Sequence, residues 1–157
     1  MEIMETAGLA LQDTWQHGTC FGCGPANPIG LQLKSYWSED ESAVVAMFHP
    51  KLDYNSGVEN VMYGGVIASL IDCHSMWTTI AFAYREAGRA FREAPAIWYV
   101  TGELNVRYLK PTPLDQPILV KGWVEKFEGR KAYVRCELGI EGIITAEASV
   151  IAIRVEG

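Results

Sequence analysis

Positive charge is scarce in this chain. Thirteen Lys and Arg stand against nineteen Asp and Glu, a net charge of -6 over 157 residues. A general nucleic-acid binder works by displacing counterions from phosphate with a basic footprint, so no nucleic-acid partner is expected. Cysteine is limited to four residues, too few to read as the framework of a disulfide-stapled domain. A reducing, cytoplasmic location is the expectation. No uninterrupted apolar run approaches the ~20 residues of a membrane span, and Met1 to Thr14 holds acids but no Lys or Arg, unlike the charged start of a secretory signal. No membrane partner is therefore expected. Internal repeats and low-complexity segments are absent.

What remains is an ordinary globular composition, 49% hydrophobic and 20% charged. The length suits a single domain over residues 1–157, in which residues 1–24 form an N-terminal lead and a cysteine-containing knuckle. The chain is organised around Tyr63-Gly64-Gly65 and the helix that follows. Wound at ~100° per residue, Val66, Ile67, Leu70, Trp77, Ala81 and Tyr84 fall on one side, which predicts a core face. Gly65, Ser69, Asp72, Met76 and Thr79 share the opposite face.

That second face carries a chemical pattern. The first N–H groups of a helix have no partner inside it, its dipole favours negative charge, and glycine lets a ligand approach the backbone. Such a helix start can serve as an oxyanion hole. The carboxylate of Asp72 can attack a carbonyl or activate a water. Seven residues of helix separate Gly65 from Asp72 by ~10 Å, too far for one carbonyl to touch both. Cooperation between them requires a second copy of the chain, so a homodimer or a dimer of dimers is expected, with the site at the subunit interface. The competing reading makes the Gly-Gly a turn and Asp72 a solvated acid.

The rest of the chain predicts strands. Leu31–Trp37 and Ala43–His49 precede the helix, with Ser38 to Glu41 as a polar turn. Trp98–Tyr108, Ile118–Phe127, Lys131–Leu138 and Ile143–Val155 follow it. In the first of these, Trp98, Val100, Gly102, Leu104, Val106 and Tyr108 alternate with Tyr99, Thr101, Glu103, Asn105 and Arg107. The last slips phase near Ser149-Val150, which predicts a bulge there. The order β-β-α-β-β-β-β puts one long helix against one antiparallel sheet, an α+β fold with the sheet curled around the helix.

Two polar constellations have bland competitors. Cys20 and Cys23 have C-x-x-C spacing, with His17 three residues earlier. A closed zinc site needs four ligands, and no second pair follows; Cys73 and Cys136 stand alone. The expectation is a punctuated knuckle with small buried thiols and no metal. His74 follows Asp72 by two residues and so points ~160° from it, toward the apolar face, which predicts a hydrogen-bonded core histidine and not a base.

The chain resembles the hotdog-fold thioesterases, in the branch of the phenylacetate-pathway enzymes. The likeness rests on C-F-G-C-G-P-A-N-P-I-G-L from Cys20 to Leu31, on Tyr63-Gly64-Gly65 followed by Asp72, on Asp72-Cys73-His74, and on Val106-Arg107-Tyr108-Leu109-Lys110-Pro111. It implies a hotdog fold and hydrolysis of an acyl-CoA thioester without a cofactor. Gly65, aided by Gly64, would polarise the thioester carbonyl, and Asp72 of a second subunit would act as nucleophile or as general base. The acyl chain would lie near Ser69 and Met76. Apart from the likeness, the loop from Pro50 to Asn60, lying just before an N–H-rich helix start, reads as a substrate wall whose Asn55 and Asn60 can hydrogen-bond a thioester or a water, the competing reading making them turn residues. Arg107 and Lys110 would face the CoA phosphates, the alternative being solvated surface charge. Tyr63 stands where many members carry histidine. The alternative function is a non-catalytic acyl-CoA binding protein on the same fold. A hotdog dehydratase would need a histidine paired with an acid at the site, which His74 does not supply.

Overall fold

The computed structural model describes Met1, Glu2 and residues 8–156. Its central element is α1, Gly64–Glu86, 23 residues long. Tyr63 enters it with extended backbone angles, φ -60° and ψ 129°, and no side chain caps its start. At the other end the chain closes in a Schellman turn: Gly88 takes φ +64° and its N–H donates to Arg85 O, while Arg89 N–H donates to Tyr84 O. Only a residue without Cβ adopts that angle without cost.

By length and composition α1 is apolar enough to cross a membrane, yet 67% of its most apolar window is buried within the fold. The sheet supplies that cover. Leu70, Ile71 and Ile80 are sealed against it, each burial stabilising by roughly 1.5–3 kcal/mol. Burial extends further round the helix than its spacing predicts. Thr79, expected on the open face, is fully buried, and every residue from Trp77 to Tyr84 is covered. The face beginning at Gly65 therefore stays open only as far as Met76.

The strands are β1 (Tyr36–Trp37), β2 (Val44–Phe48), β3 (Trp98–Tyr108), β4 (Ile118–Glu128), β5 (Lys131–Ile140) and β6 (Ile143–Val155). They form one antiparallel sheet in the order β1-β2-β4-β5-β6-β3, with β3 at an edge. With α1 between β2 and β3 in the chain, this is the predicted α+β order. The register builds cross-sheet rows facing the helix, such as Val44–Gly122–Cys136–Ala148–Val106. Gly122 is the close-approach point of that row. A Cβ there would sit 2.7 Å from Thr78 Oγ1 and 3.2 Å from His74 Cδ2.

Three local readings are corrected. The strand expected over Leu31–Trp37 pairs only at Tyr36–Trp37. Upstream, Leu31 and Leu33 donate their N–H groups to Phe21 O and Gly22 O of the knuckle, and Ser35 O accepts from Leu11 N–H. That segment is extended, but it hydrogen-bonds to the N-terminal lead instead of the sheet. In β6 the irregularity lies between Leu138/Gly139 on the partner strand and Thr145, not at Ser149-Val150. In β3 the register shifts at Gly102, so Thr101 pairs with Ala152 while Leu104 pairs with Val150. Both partners are buried, which places Thr101 on the helix-facing side with Leu104 and takes Val100 off it.

The lead is tied down by an aromatic group and a buried polar chain. A short 3-10 turn, Leu11–Thr14, delivers Trp15 edge-on to Trp98 at 4.8 Å, and Trp77 meets Trp98 at 5.7 Å. Gln12, fully buried, donates from Nε2 to Ser35 Oγ at 2.9 Å and accepts from Ser35 N–H at 2.8 Å. Ser35 Oγ then meets His74 Nδ1 at 2.9 Å, and His74 Nε2 meets Val44 O at 2.9 Å. A carbonyl only accepts, so Nε2 carries the proton and Nδ1 accepts from Ser35. Burial holds His74 down to about 4, which keeps it neutral. It is the core histidine its helical position predicts, with both ring nitrogens occupied.

Candidate active site

The site is built from the start of α1. Of the first helical N–H groups, those of Val66 and Ile67 donate back to Tyr63 O at 3.0 and 3.3 Å. Those of Gly64 and Gly65 have no acceptor among the described residues. Two free donors thus sit at the positive end of a 23-residue helix. Two aromatic rings pack against the glycines. The Tyr63 ring lies over Gly65 so closely that a Cβ there would be 2.4 Å from Cε1. The Tyr108 ring packs 3.4 Å from the Cβ position of Gly64, and its hydroxyl donates to Gly64 O at 2.8 Å. Burial, and then the Tyr63 phenol, raise the Tyr108 hydroxyl above its ordinary value, so it stays a proton donor.

One turn on, Ser69 Oγ donates to Gly65 O at 2.8 Å. A further turn brings Asp72, half-buried, whose Oδ1 accepts from Thr101 Oγ1 at 2.5 Å. The bulge at Gly102 is what aims Thr101 at it. Met76 is half-buried on the next turn and packs against the core. The structure therefore brings Gly65, Ser69, Asp72 and Met76 onto one face, with Gly65 and Asp72 still ~10 Å apart along the axis.

The other expected residues lie elsewhere. Asn55 Oδ1 accepts from Gly57 N–H at 3.0 Å, and its amide donates to Leu52 O. Asn60 takes φ +54° and accepts from Leu114 N–H at 3.0 Å. Both are engaged in holding the loop, and both line a surface concavity with Leu52 and Val58. Lys110 lines a groove of about 350 Å³ with Gly64, Ile67 and Tyr108, beside the helix start. Arg107 pairs with Glu147 at 3.0 Å, in register with it on the side of the sheet away from the helix. Within one protomer Arg107 does not join Gly65 or Asp72. Tyr108 and Thr101 were not singled out from the sequence. Tyr108 had a signal, as part of the strand-end motif; Thr101 had none, because the bulge that turns it inward interrupts the alternation.

A second cluster sits behind Asp72. Cys73, read as isolated, meets Cys20 with 3.6 Å between the sulfurs, and Cys23 accepts from Trp77 Nε1–H at 3.3 Å. The hydrogen bond with Cys73 is the main reason that the Cys20 thiol is lowered to about 5; the same bond, with Cys23 and burial, pushes Cys73 up. His17 is exposed and does not join them. Cys136 is buried in the sheet, and burial pushes its thiol up to about 12.

A long helix wrapped by one antiparallel sheet is the hotdog fold. The thioesterase superfamily model matches residues 59–147, from the loop before α1 through the start of β6. The chain belongs to the thioesterase superfamily. A thioesterase superfamily protein from Shewanella loihica is 31% identical, with 92% of this chain and 98% of that chain aligned and a TM-score of 0.66. Acyl-coenzyme A thioesterase THEM4 of Mus musculus is 30% identical over 82% of this chain and 50% of its own length. The chain spans about half the length of the curated relatives it matches. A protein of Bacillus halodurans solved with CoA shares the fold, at 18% identity, 81% of this chain, 76% of that chain and a TM-score of 0.63.

Proposed function

We propose that the chain is an acyl-CoA thioesterase working as a homodimer or a dimer of dimers. The observation that carries this reading is the pair of N–H groups on Gly64 and Gly65, which have no acceptor among the described residues and share a helix face with Asp72. The thioester carbonyl oxygen accepts from those donors, which stabilise the negative charge that develops on it. Asp72 of the partner subunit attacks the carbonyl carbon or takes a proton from a water that does. When Asp72 attacks, the C–S bond breaks, the CoA sulfur leaves as thiol, and water then hydrolyses the acyl–Asp72 anhydride to the free acid and the aspartate; when water attacks, its oxygen ends in the carboxylic acid as the C–S bond breaks and the CoA sulfur leaves as thiol. Thr101 orients the carboxylate, Ser69 and Met76 line the acyl path, and Lys110 is the cation placed to meet a phosphate. The name of the THEM4 relative and the CoA bound to the Bacillus halodurans protein support a CoA ester as substrate.

The second reading, affinity for acyl-CoA without turnover, is favoured by the position of Tyr63, whose ring covers Gly65. One assay separates the two. Thiol release is followed from short, medium, long and aromatic acyl-CoAs, with wild type beside Asp72→Asn. The thioesterase reading expects release from at least one ester, and a kcat lower by ~100-fold or more in a folded Asp72→Asn protein. Binding of the esters with no release from any of them would leave only the second reading.

A further inference from the structure

Cys20, Cys23 and Cys73 come from two elements fifty residues apart, yet their sulfurs all lie within 4.8 Å of one another. A zinc–thiolate bond of ≈ 2.3 Å in tetrahedral geometry sets sulfurs about 3.8 Å apart. The observed Cys20–Cys73 separation, 3.6 Å, is already at that spacing. The convergence depends on glycine. A Cβ on Gly22 would lie 2.3 Å from Cys73 Sγ, and one on Gly24 would lie 2.4 Å from Cys20 N. Neither glycine has a positive φ, so close approach, not backbone freedom, is what each provides.

One of the sulfurs also has a donor of its own: the Trp77 indole N–H donates to Cys23 at 3.3 Å. Such a donor offsets the charge that thiolates accumulate around a cation, and holds its thiolate in position. Cys23 is buried, Cys73 is half-buried and Cys20 is exposed, so the group opens outward on one side only. Among the described residues no fourth His, Cys, Asp or Glu joins the three. A three-sulfur set with one open side suits a soft cation that accepts three thiolates alone, or three thiolates and a water.

We propose that Cys20, Cys23 and Cys73 bind a soft d10 cation, zinc or copper(I), which clamps the N-terminal knuckle to the turn of α1 that carries Ser69 and Asp72. Gly22 already packs against that turn, with its Cβ position 3.6 Å from Ser69 O. Binding replaces thiol protons by metal–sulfur bonds and releases those protons to solvent, with no change of oxidation state. The clamp involves neither the Gly64–Gly65 donors nor the Asp72 carboxylate, so it stands whether or not the chain hydrolyses a thioester.

The test uses the full chain, reduced and handled without oxygen. Zinc is titrated against a chromogenic zinc chelator, and copper(I) separately against a copper(I) chelator, which distinguishes the two ions. The expected result is one equivalent of one of them per chain. Cys20→Ser, at an exposed position that tolerates change, and Cys73→Ser should each weaken binding by about 100-fold or more, whereas Cys136→Ser should not. Cobalt(II) substitution should give intense sulfur-to-metal charge-transfer bands that weaken in Cys20→Ser. No stoichiometric binding of either ion, or binding indifferent to Cys20→Ser, would overturn the proposal. So would the sole appearance of a Cys20–Cys73 disulfide in air, with no metal retained under reducing conditions.

Discussion

Replacing Thr101 by valine removes one hydroxyl and little else. Valine keeps the β-branched shape that suits a strand, so β3 and its pairing with Ala152 should persist. What disappears is the bond from Thr101 Oγ1 to Asp72 Oδ1. A hydrogen bond to a charged group contributes roughly 1.5–3 kcal/mol, and Thr101 is exposed while Asp72 is half-buried, so about 1.5 kcal/mol is appropriate. If that bond holds the carboxylate in its reacting orientation through the transition state, its loss costs about tenfold in kcat. Because Thr101 acts through Asp72, KM for the best acyl-CoA should move by less than about twofold. Thr101→Ser restores the donor and should recover most of the rate. Steady-state thiol release on the three proteins decides the matter. A kcat in Thr101→Val equal to wild type, or a Thr101→Ser protein as slow as Thr101→Val, would refute the positioning role.

Gly65→Pro removes an N–H in the first helical turn, where proline is tolerated, and its Cβ displaces only the exposed Tyr63 ring, so the protein should fold while kcat falls by ~100-fold or more; a fully active, folded variant would end the oxyanion-hole assignment. His74 is held at about 4 against an ordinary 6.5, so the unfolded chain takes up its proton first as pH falls. Its neutral form supports the fold fully above pH 6.5, and that support, about 3 kcal/mol, is lost as pH falls toward 4. Urea unfolding of wild type and His74→Gln across that window should show the wild-type excess shrinking, and a constant difference would contradict the assignment. Gly139→Ala places a Cβ 2.0 Å from Ile143 O, a backbone atom that cannot swing aside. It should destabilise by on the order of 2 kcal/mol in the same measurement, and an unchanged midpoint would show that the bulge relaxes.

The helix was legible because its apolar spacing and glycine pair are local properties of one stretch. Its start at the glycine pair, expected at Gly65 and found at Gly64, the core face through Ile67 and Leu70, and the inward histidine all follow from winding that stretch at 3.6 residues per turn. The strands after it were legible from alternation and glycine turns for the same reason. Thr79 was misplaced because spacing gives a direction but not how far the sheet wraps round. Leu31 to Ser35 were misassigned because an extended, apolar stretch has the same pattern whether it pairs with a sheet or with an N-terminal lead. The Thr101–Asp72 bond and the Cys73 contact with Cys20 depend on tertiary register across 29 and 53 residues, which no local period encodes.

The central claim is that each site takes its N–H donors from one subunit and its carboxylate from the other. It is tested most directly by mixing two inactive variants. Asp72→Asn and Gly65→Pro proteins are unfolded together, refolded, and assayed for acyl-CoA thiol release. A mixed dimer has one site with both groups intact and one with neither, and half of randomly paired dimers are mixed, so about a quarter of wild-type activity should return. If both groups serve the same chain's site, every site in the mixture is broken, and activity no greater than that of the separate variants would contradict the account.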